Sequence, residues 1–290
     1  MAVDLDNRAV RRAFDAAAAT YDLHATLQRE VAARLVERLD YVTLEPARIV
    51  DLGAGTGFCT ELLAKRYPKA RIVLADLAPA MLTAARRRAP RWFARRDYVC
   101  CDARALPFAP GSVDLIVSSL AIQWCEDLLA VFTDCARVLK PGGLVLFSTL
   151  GPDTLKELRA AWAAVDDMPH VNRFHDMHDV GDALVHAGLS SPVMERDDLV
   201  VTYAELVTLM RDLKGIGAHN TLNERKRALY GRRQLAALTA AYETFRHDGL
   251  LPATYEVVYG HAWAPQPRTR RQDGSTVATY PLSKLTRREH

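Results

Sequence analysis

Disulfide and metal-binding patterns are missing from this chain of 290 residues. Its five cysteines, Cys59, Cys100, Cys101, Cys125 and Cys135, are odd in number and contain no CxxC pair. That excludes a disulfide framework and a zinc or thioredoxin site of the usual spacing, and reduced, mostly buried thiols are expected. The nine histidines form no HExxH pattern. Their nearest cluster, His175-Asp176-Met177-His178, reads as the solvated start of a helix, so no metal is expected. No apolar run reaches the ~18 to 20 residues of a membrane span. The stretch "MAVDLDNRAV" lacks the apolar core of a signal peptide, so the expected location is the cytoplasm, with no membrane partner. A large excess of one charge is also lacking, because the formal net charge is only +3. From Ala264 onward six Lys or Arg stand against two acids, which leaves the body near neutral. A generic polyanion binder is therefore excluded and no nucleic-acid partner is expected.

What is present is an ordinary globular composition, 49% hydrophobic and 25% charged, long enough to bury one large core. Short β-branched runs alternate with helical patterns through residues 47–149, the pattern of an α/β protein with a parallel sheet covered on both faces. Strands are predicted at 47–52, 70–77, 97–102, 113–119 and 144–149. Helices follow at 56–66, from Pro79, and at 127–140, the last stopped by Pro141, Gly142 and Gly143. Upstream, Val10, Phe14, Leu23, Leu27, Val31 and Leu35 predict one or two helices. Downstream, "MERDDLVV" and "TYEVVYGHAW" predict late antiparallel strands, with helices near 203–213 and 232–247 between them as a lid over the site. One domain over 1–263 is expected, with 47–149 as its cofactor half and roughly 153–250 holding lid helices and late strands. Residues 264–290, rich in Pro and polar residues, read as a flexible basic tail.

The loop "DLGAGTG" at 51–57 decides the cofactor class. A dinucleotide fingerprint needs GxGxxG; here Gly53 and Gly55 fit, Phe58 occupies the third position, and Gly57 comes one residue early. With Asp76 closing the second strand, the arrangement resembles class I S-adenosyl-L-methionine-dependent methyltransferases, which implies a Rossmann-like sheet and S-adenosyl-L-methionine as cofactor. The resemblance implies that Gly53, Ala54, Gly55 and Gly57 give the methionine portion close backbone approach. It also implies that Asp76 accepts from the ribose hydroxyls beside Leu77, that Asp102 and Ala103 meet the adenine, and that Ser119 and Leu120 line the channel. Asp51 is open between direct contact and bracing of the loop.

Further stretches carry a narrower resemblance: "AAAATYDLHATLQREVA", "SSLAIQWCEDL", "AWAAVDDMPHVNRF" and "LKGIGAHN", supported by "TYEVVYGHAW". Together these resemble the malonyl-[acyl-carrier protein] O-methyltransferases of biotin synthesis over nearly all of residues 5–263. That implies methylation of the free malonyl carboxylate, with malonyl-acyl-carrier protein as partner, and an ester that fatty-acid enzymes will elongate on the way to pimeloyl and biotin. Such a carboxylate is ionised at neutral pH, so no general base is needed. The resemblance places Tyr21 over the cofactor near its methyl, with Gln123 and Trp124 orienting the acceptor. Arg173 and Lys214, with Arg211 in reserve, are the cations expected to hold the carboxylate, and the runs Arg225-Lys226-Arg227 and Arg232-Arg233 would steer an acidic carrier. Each of these side chains has an ordinary alternative as core packing or a solvated charge. Within the same superfamily, methylation of a small free acid and an assembly factor related to the complex I arginine-modifying protein remain open. "LKGIGAHN" also suggests a phosphate loop but lacks the GxxxxGK[ST] spacing.

Overall fold

Each short β-branched run of the central region forms a strand, and each periodic run after it a covering helix. The computed structural model describes residues 6–89, 95–218, 231–266, 269–270 and 276–277. The chain opens with α1 (Asn7–Ala17), capped by Asp6, then α2 (Tyr21–His24) and α3 (Thr26–Glu37), three helical pieces rather than one or two. The alternating region follows as β1 (Arg48–Leu52), α4 (Phe58–Arg66), β2 (Arg71–Asp76), α5 (Pro79–Arg88), β3 (Arg96–Cys100), β4 (Val113–Ser119), α6 (Leu128–Val138) and β5 (Leu139–Leu150). Proline opens α5 because its missing N–H is unpaired at that position anyway. Asp127 caps α6 through the Ala130 amide. That helix stops at Val138, two residues before the expected end, and the chain is already extended through Pro141 and the two glycines.

Beyond β5 lie α7 (Lys156–Ala163), α8 (Met177–His186), β6 (Ser190–Tyr203), α9 (Leu206–Gly215), α10 (Arg232–Glu243) and β7 (Leu251–Trp263). Asp176 caps α8, so the His175–His178 cluster is a helix start as expected. Two short strands, β8 (Thr269–Arg270) and β9 (Thr276–Val277), pair with each other; the rest of the expected tail beyond Gln266 lies outside the described residues.

The main sheet runs β3-β2-β1-β4-β5-β7-β6. Its first five strands are parallel, and β7 joins antiparallel to both β5 and β6. One face packs on α3, α4, α7 and α10 through residues such as Leu35, Leu63, Leu115, Leu144 and Tyr242. The other packs on α6 and α8 through Val50, Phe132, Phe147, Val180 and Leu184. The central strands β1, β2, β4 and β5 are buried along most of their length because both faces are covered, whereas the edge strand β6 is largely exposed.

The expectation for the thiols needs correction. Cys59 and Cys135 are buried, Cys101 and Cys125 are partly buried, and Cys100 is exposed because it ends the edge strand β3. The helices between β6 and β7 close over the N-terminal ones: His24 Nδ1 lies 2.8 Å from Asp212 Oδ1, and a Cβ on Gly215 would sit 2.2 Å from the His24 ring. The glycines of "LKGIGA" thus permit close packing of the lid, Gly215 on α2 and Gly217 on Ala13 and Ala17 of α1. That explains them without a phosphate, and His219 and Asn220, which end the longer stretch, lie outside the described residues.

Candidate active site

Parallel strands point their carboxyl ends to one edge of the sheet, where loops are free to meet a ligand. At that edge the turns after β1, β2, β3 and β4 surround a cavity. Gly53, Gly55, Asp76, Leu77, Asp102, Ala103 and Ser119 all line it. Ala54 borders a recess on the other side of the glycine turn, together with Gly53, Gly55, Ser119 and Gln28. Gly57 lines neither space; it heads α4.

Asp76 is the charged floor of the cavity. Its two oxygens accept from the Gly55 and Ala78 amides at 2.8 Å each, and burial still holds its pKa above the usual carboxylate range. No cation pairs with it among the described residues. A carboxylate offers about four acceptor positions, so this one keeps room for two more donors. Asp102 differs, because the Arg104 fork grips it at 2.6 and 3.0 Å and holds its pKa down. Leu77, Met81, Ala103 and Ile122 supply apolar wall between the two acids.

Asp51 lies beneath the turn, 1% exposed, and accepts from Thr60 Oγ1 in α4. It lines none of the cavities described here, so it braces the loop against the helix. Burial pushes its carboxyl up to about 7, the hydrogen bond from Thr60 offsetting part of that and the charge of Asp76 adding to it. The unfolded chain would ionise near the ordinary 3.8, so between about 4 and 7 the folded protein holds the extra proton. This residue's stabilising contribution therefore falls as pH rises through that window and is lost above it. Asp51→Asn is expected to melt higher than the parent at pH 8 and to lose that advantage at pH 4, as read by thermal denaturation against pH. A constant difference across the range would refute the assignment.

A second cavity adjoins the first. Phe14, Tyr21, Leu120 and Trp124 line both, so they form the wall through which the two communicate. Phe14 and Trp124 meet edge to face, with centroids 5.3 Å apart. Leu120 is held at φ +47°, its amide between Ser148 O and Oγ at 3.1 Å and its carbonyl accepting Gln123 Nε2 at 2.7 Å. Strain of this kind persists where neighbours over-determine a site. Gln123 reaches the second cavity as expected, but its amide also ties this turn in place. Burial keeps the Tyr21 hydroxyl protonated, and the charges of Asp76 and Asp22 act in the same direction. It is a donor at neutral pH, not a base.

None of the three expected cations enters either cavity. Arg173, Arg211 and Lys214 are exposed, and among the described residues they form no ion pair. Arg173 lies between Asn172 and Phe174, which both turn inward, and in extended chain successive side chains point to opposite sides. In α9 the inward face is Leu206, Leu209 and Leu213, continued past the helix by Ile216, and Arg211 and Lys214 fall off it. Arg232 and Arg233 are exposed at the start of α10; Arg225, Lys226 and Arg227 lie outside the described residues. The site also contains groups that the sequence did not reveal. Gln28, His170, Asn172 and Tyr255 line the second cavity, and Arg104 the first. His170 is set by its stacking on Trp162 at 3.7 Å and by Asp166 Oδ1, 2.5 Å from its Nε2. Among the described residues no group of three His, Cys, Asp or Glu side chains is placed to hold a metal ion, and no helix is long and apolar enough to cross a membrane.

Comparison with known proteins agrees with this geometry. Residues 50–147 match a family model described as a methyltransferase domain. A malonyl-[acyl-carrier protein] O-methyltransferase of Gallionella capsiferriformans is 50% identical over 280 residues, covering 95% of this chain and 97% of the relative. Its namesake in Laribacter hongkongensis is 52% identical over 284 residues, covering 95% and 96%. Among solved structures, the YcgJ protein of Bacillus subtilis superposes with a TM-score of 0.60 at 13% identity, over 82% of this chain and 99% of that one, a likeness of fold.

Proposed function

The chain belongs to the malonyl-[acyl-carrier protein] O-methyltransferase family, and from that premise we propose that it transfers a methyl group from S-adenosyl-L-methionine to the free carboxylate of malonyl-acyl-carrier protein. The observation that carries this reading is the pair of adjoining cavities, one with acidic and apolar walls, the other lined among the described residues by no Lys or Arg, meeting at Phe14, Tyr21, Leu120 and Trp124. When bound, S-adenosyl-L-methionine supplies a methyl on a positively charged sulfur, and its transfer to a carboxylate oxygen yields an ester and a neutral thioether with no proton released.

The chain's own part is to hold, align and keep dry. The half-buried carboxylate of Asp76, unpaired with any cation among the described residues, fits the ribose hydroxyls, with Leu77 and Met81 against the ring system. Asp102 and Ala103 take the adenine edge. Gly53, Ala54, Gly55 and Ser119 take the amino-acid end. Tyr21 and Trp124 fix the line along which methyl donor and acceptor meet, and such alignment is where much of the rate arises. α1, α2 and the lid exclude water, so the acceptor carboxylate meets the cation with little solvent left to reorganise. Because the acceptor is ionised already, a site without a free base suffices.

The test is incubation with S-adenosyl-L-methionine and malonyl-acyl-carrier protein, read by mass spectrometry as one added methyl, with acetyl-acyl-carrier protein and free dicarboxylic acids as controls. No mass gain by a preparation shown to bind the cofactor would refute the proposal. Arg173→Ala and Lys214→Ala follow from the exposure of those cations. We expect unchanged cofactor affinity and kcat within about twofold, with KM for an acidic carrier raised at low salt and the difference fading at high salt. A kcat reduced to background would return one of them to the acceptor's carboxylate.

A further inference from the structure

An ionised acceptor must be held by something once water is expelled, because a buried carboxylate without hydrogen-bond donors is costly. The expected cations Arg173, Arg211 and Lys214 are outside, and among the described residues no Lys or Arg lines the acceptor cavity. Two neutral donors in that cavity have no protein partner among the described residues. The Gln28 side chain makes no hydrogen bond there, which leaves its Nε2 N–H groups available as donors. The Trp124 ring packs on Phe14 but its indole N–H reaches no acceptor. Gln123, by contrast, already donates to Leu120 O.

We propose that the Gln28 amide and the Trp124 indole N–H form a neutral clamp for the acceptor's carboxylate, one donor for each oxygen. The proposal rests on the carboxyl-methylation reading above and names the residues that select its acceptor. Both are placed for the task. Gln28 borders the acceptor cavity and the recess behind the glycine turn, and Trp124 borders the acceptor and cofactor cavities, so the two flank the region where the methyl is transferred.

The chemistry favours neutral donors. The acceptor loses its negative charge as the ester forms, so a guanidinium or ammonium would bind the ground state more strongly than the transition state and slow the step. Amide and indole donors orient the oxygens while leaving lone pairs available to the methyl. They also release the product, since the ester no longer carries the charge they recognise. An acetyl group has no carboxylate to present.

Gln28→Leu and Trp124→Phe remove one donor each while keeping bulk and, at Trp124, the ring against Phe14. Each is expected to lower kcat/KM for malonyl-acyl-carrier protein by about 10- to 100-fold, the usual loss of a hydrogen bond to a charged group. The affinity for S-adenosyl-L-methionine, by calorimetry, should fall by far less than kcat/KM, and the melting temperature should hold. A second measurement does not depend on turnover. In ¹⁵N-labelled wild-type protein loaded with S-adenosylhomocysteine, malonyl-acyl-carrier protein should move the Trp124 indole signal downfield. That signal is assigned by its absence in Trp124→Phe, and acetyl-acyl-carrier protein should leave it in place. Normal kcat/KM in both variants, a parallel loss of cofactor affinity, or no carboxylate-dependent indole shift each overturns the clamp. If wild-type protein fails to methylate the malonyl carrier yet a free dicarboxylic acid moves the indole signal, the clamp stands and the choice of acceptor fails.

Discussion

Gly53→Ala is expected to abolish binding of S-adenosyl-L-methionine and to lower the melting temperature by several degrees. Gly53 has φ +73°, where an L-residue is strained by roughly 1–2 kcal/mol. Its added Cβ would lie 2.1 Å from the Ala121 Cβ, and neither group can rotate away. Relief by moving the loop is blocked, because the Gly53 amide donates to Ala75 O at 2.7 Å in the adjoining strand. Relief by moving Ala121 carries the turn at Ile122–Trp124 with it, together with Leu120 and the wall shared by the two cavities. Overpacking of this sort adds about 1–3 kcal/mol. Calorimetry with the cofactor and a thermal scan test both parts. A variant that binds the cofactor like wild type would mean that the loop is not set by this contact.

Asp76→Ala separates binding from folding. The carboxylate accepts two backbone amides and has acceptor capacity left for the ribose hydroxyls. Losing hydrogen bonds to a charged group costs about 1.5–3 kcal/mol each, so the dissociation constant should rise by at least ~100-fold. Stability should change much less than affinity. The Gly55 and Ala78 amides lose their acceptor, but an unpaired carboxylate whose pKa burial already raises is removed at the same time. Tight binding retained by a folded Asp76→Ala protein would overturn the cofactor map. A cofactor affinity lost in Gly53→Ala together with stability, but lost in Asp76→Ala nearly alone, is the combined signature of the site described.

The cofactor half was legible residue by residue because two simple rules coincide there. Alternating β and α patterns imply a parallel sheet, and parallel sheets bind at their carboxyl ends, so the residues just after each strand were the candidates. Gly53, Gly55, Asp76, Leu77, Asp102, Ala103 and Ser119 all line the first cavity on that logic. Asp51 shares the same motif yet lies beneath the turn while its neighbour Leu52 lines the cavity, because successive side chains in a strand face opposite layers.

The acceptor half was legible as a region and not as a set of contacts. "VNRF" and "LKGIGA" do border the second cavity, through Asn172, Phe174, Leu213, Ile216 and Ala218, while the charged residue within each faces solvent. Charge named the wrong member in both, because a cation with no partner remains in water at little cost whereas an amide or aromatic ring goes in. What the sequence by itself determined was the fold, the class of methyl donor and the strand-tip residues that line the first cavity, since periodicity and strand order act locally along the chain. What only the tertiary structure decided was which side chains from α1, α2, α3, α7 and the lid converge on the acceptor. Those elements lie far apart in sequence, and the angle at which each packs selects the residue that points inward.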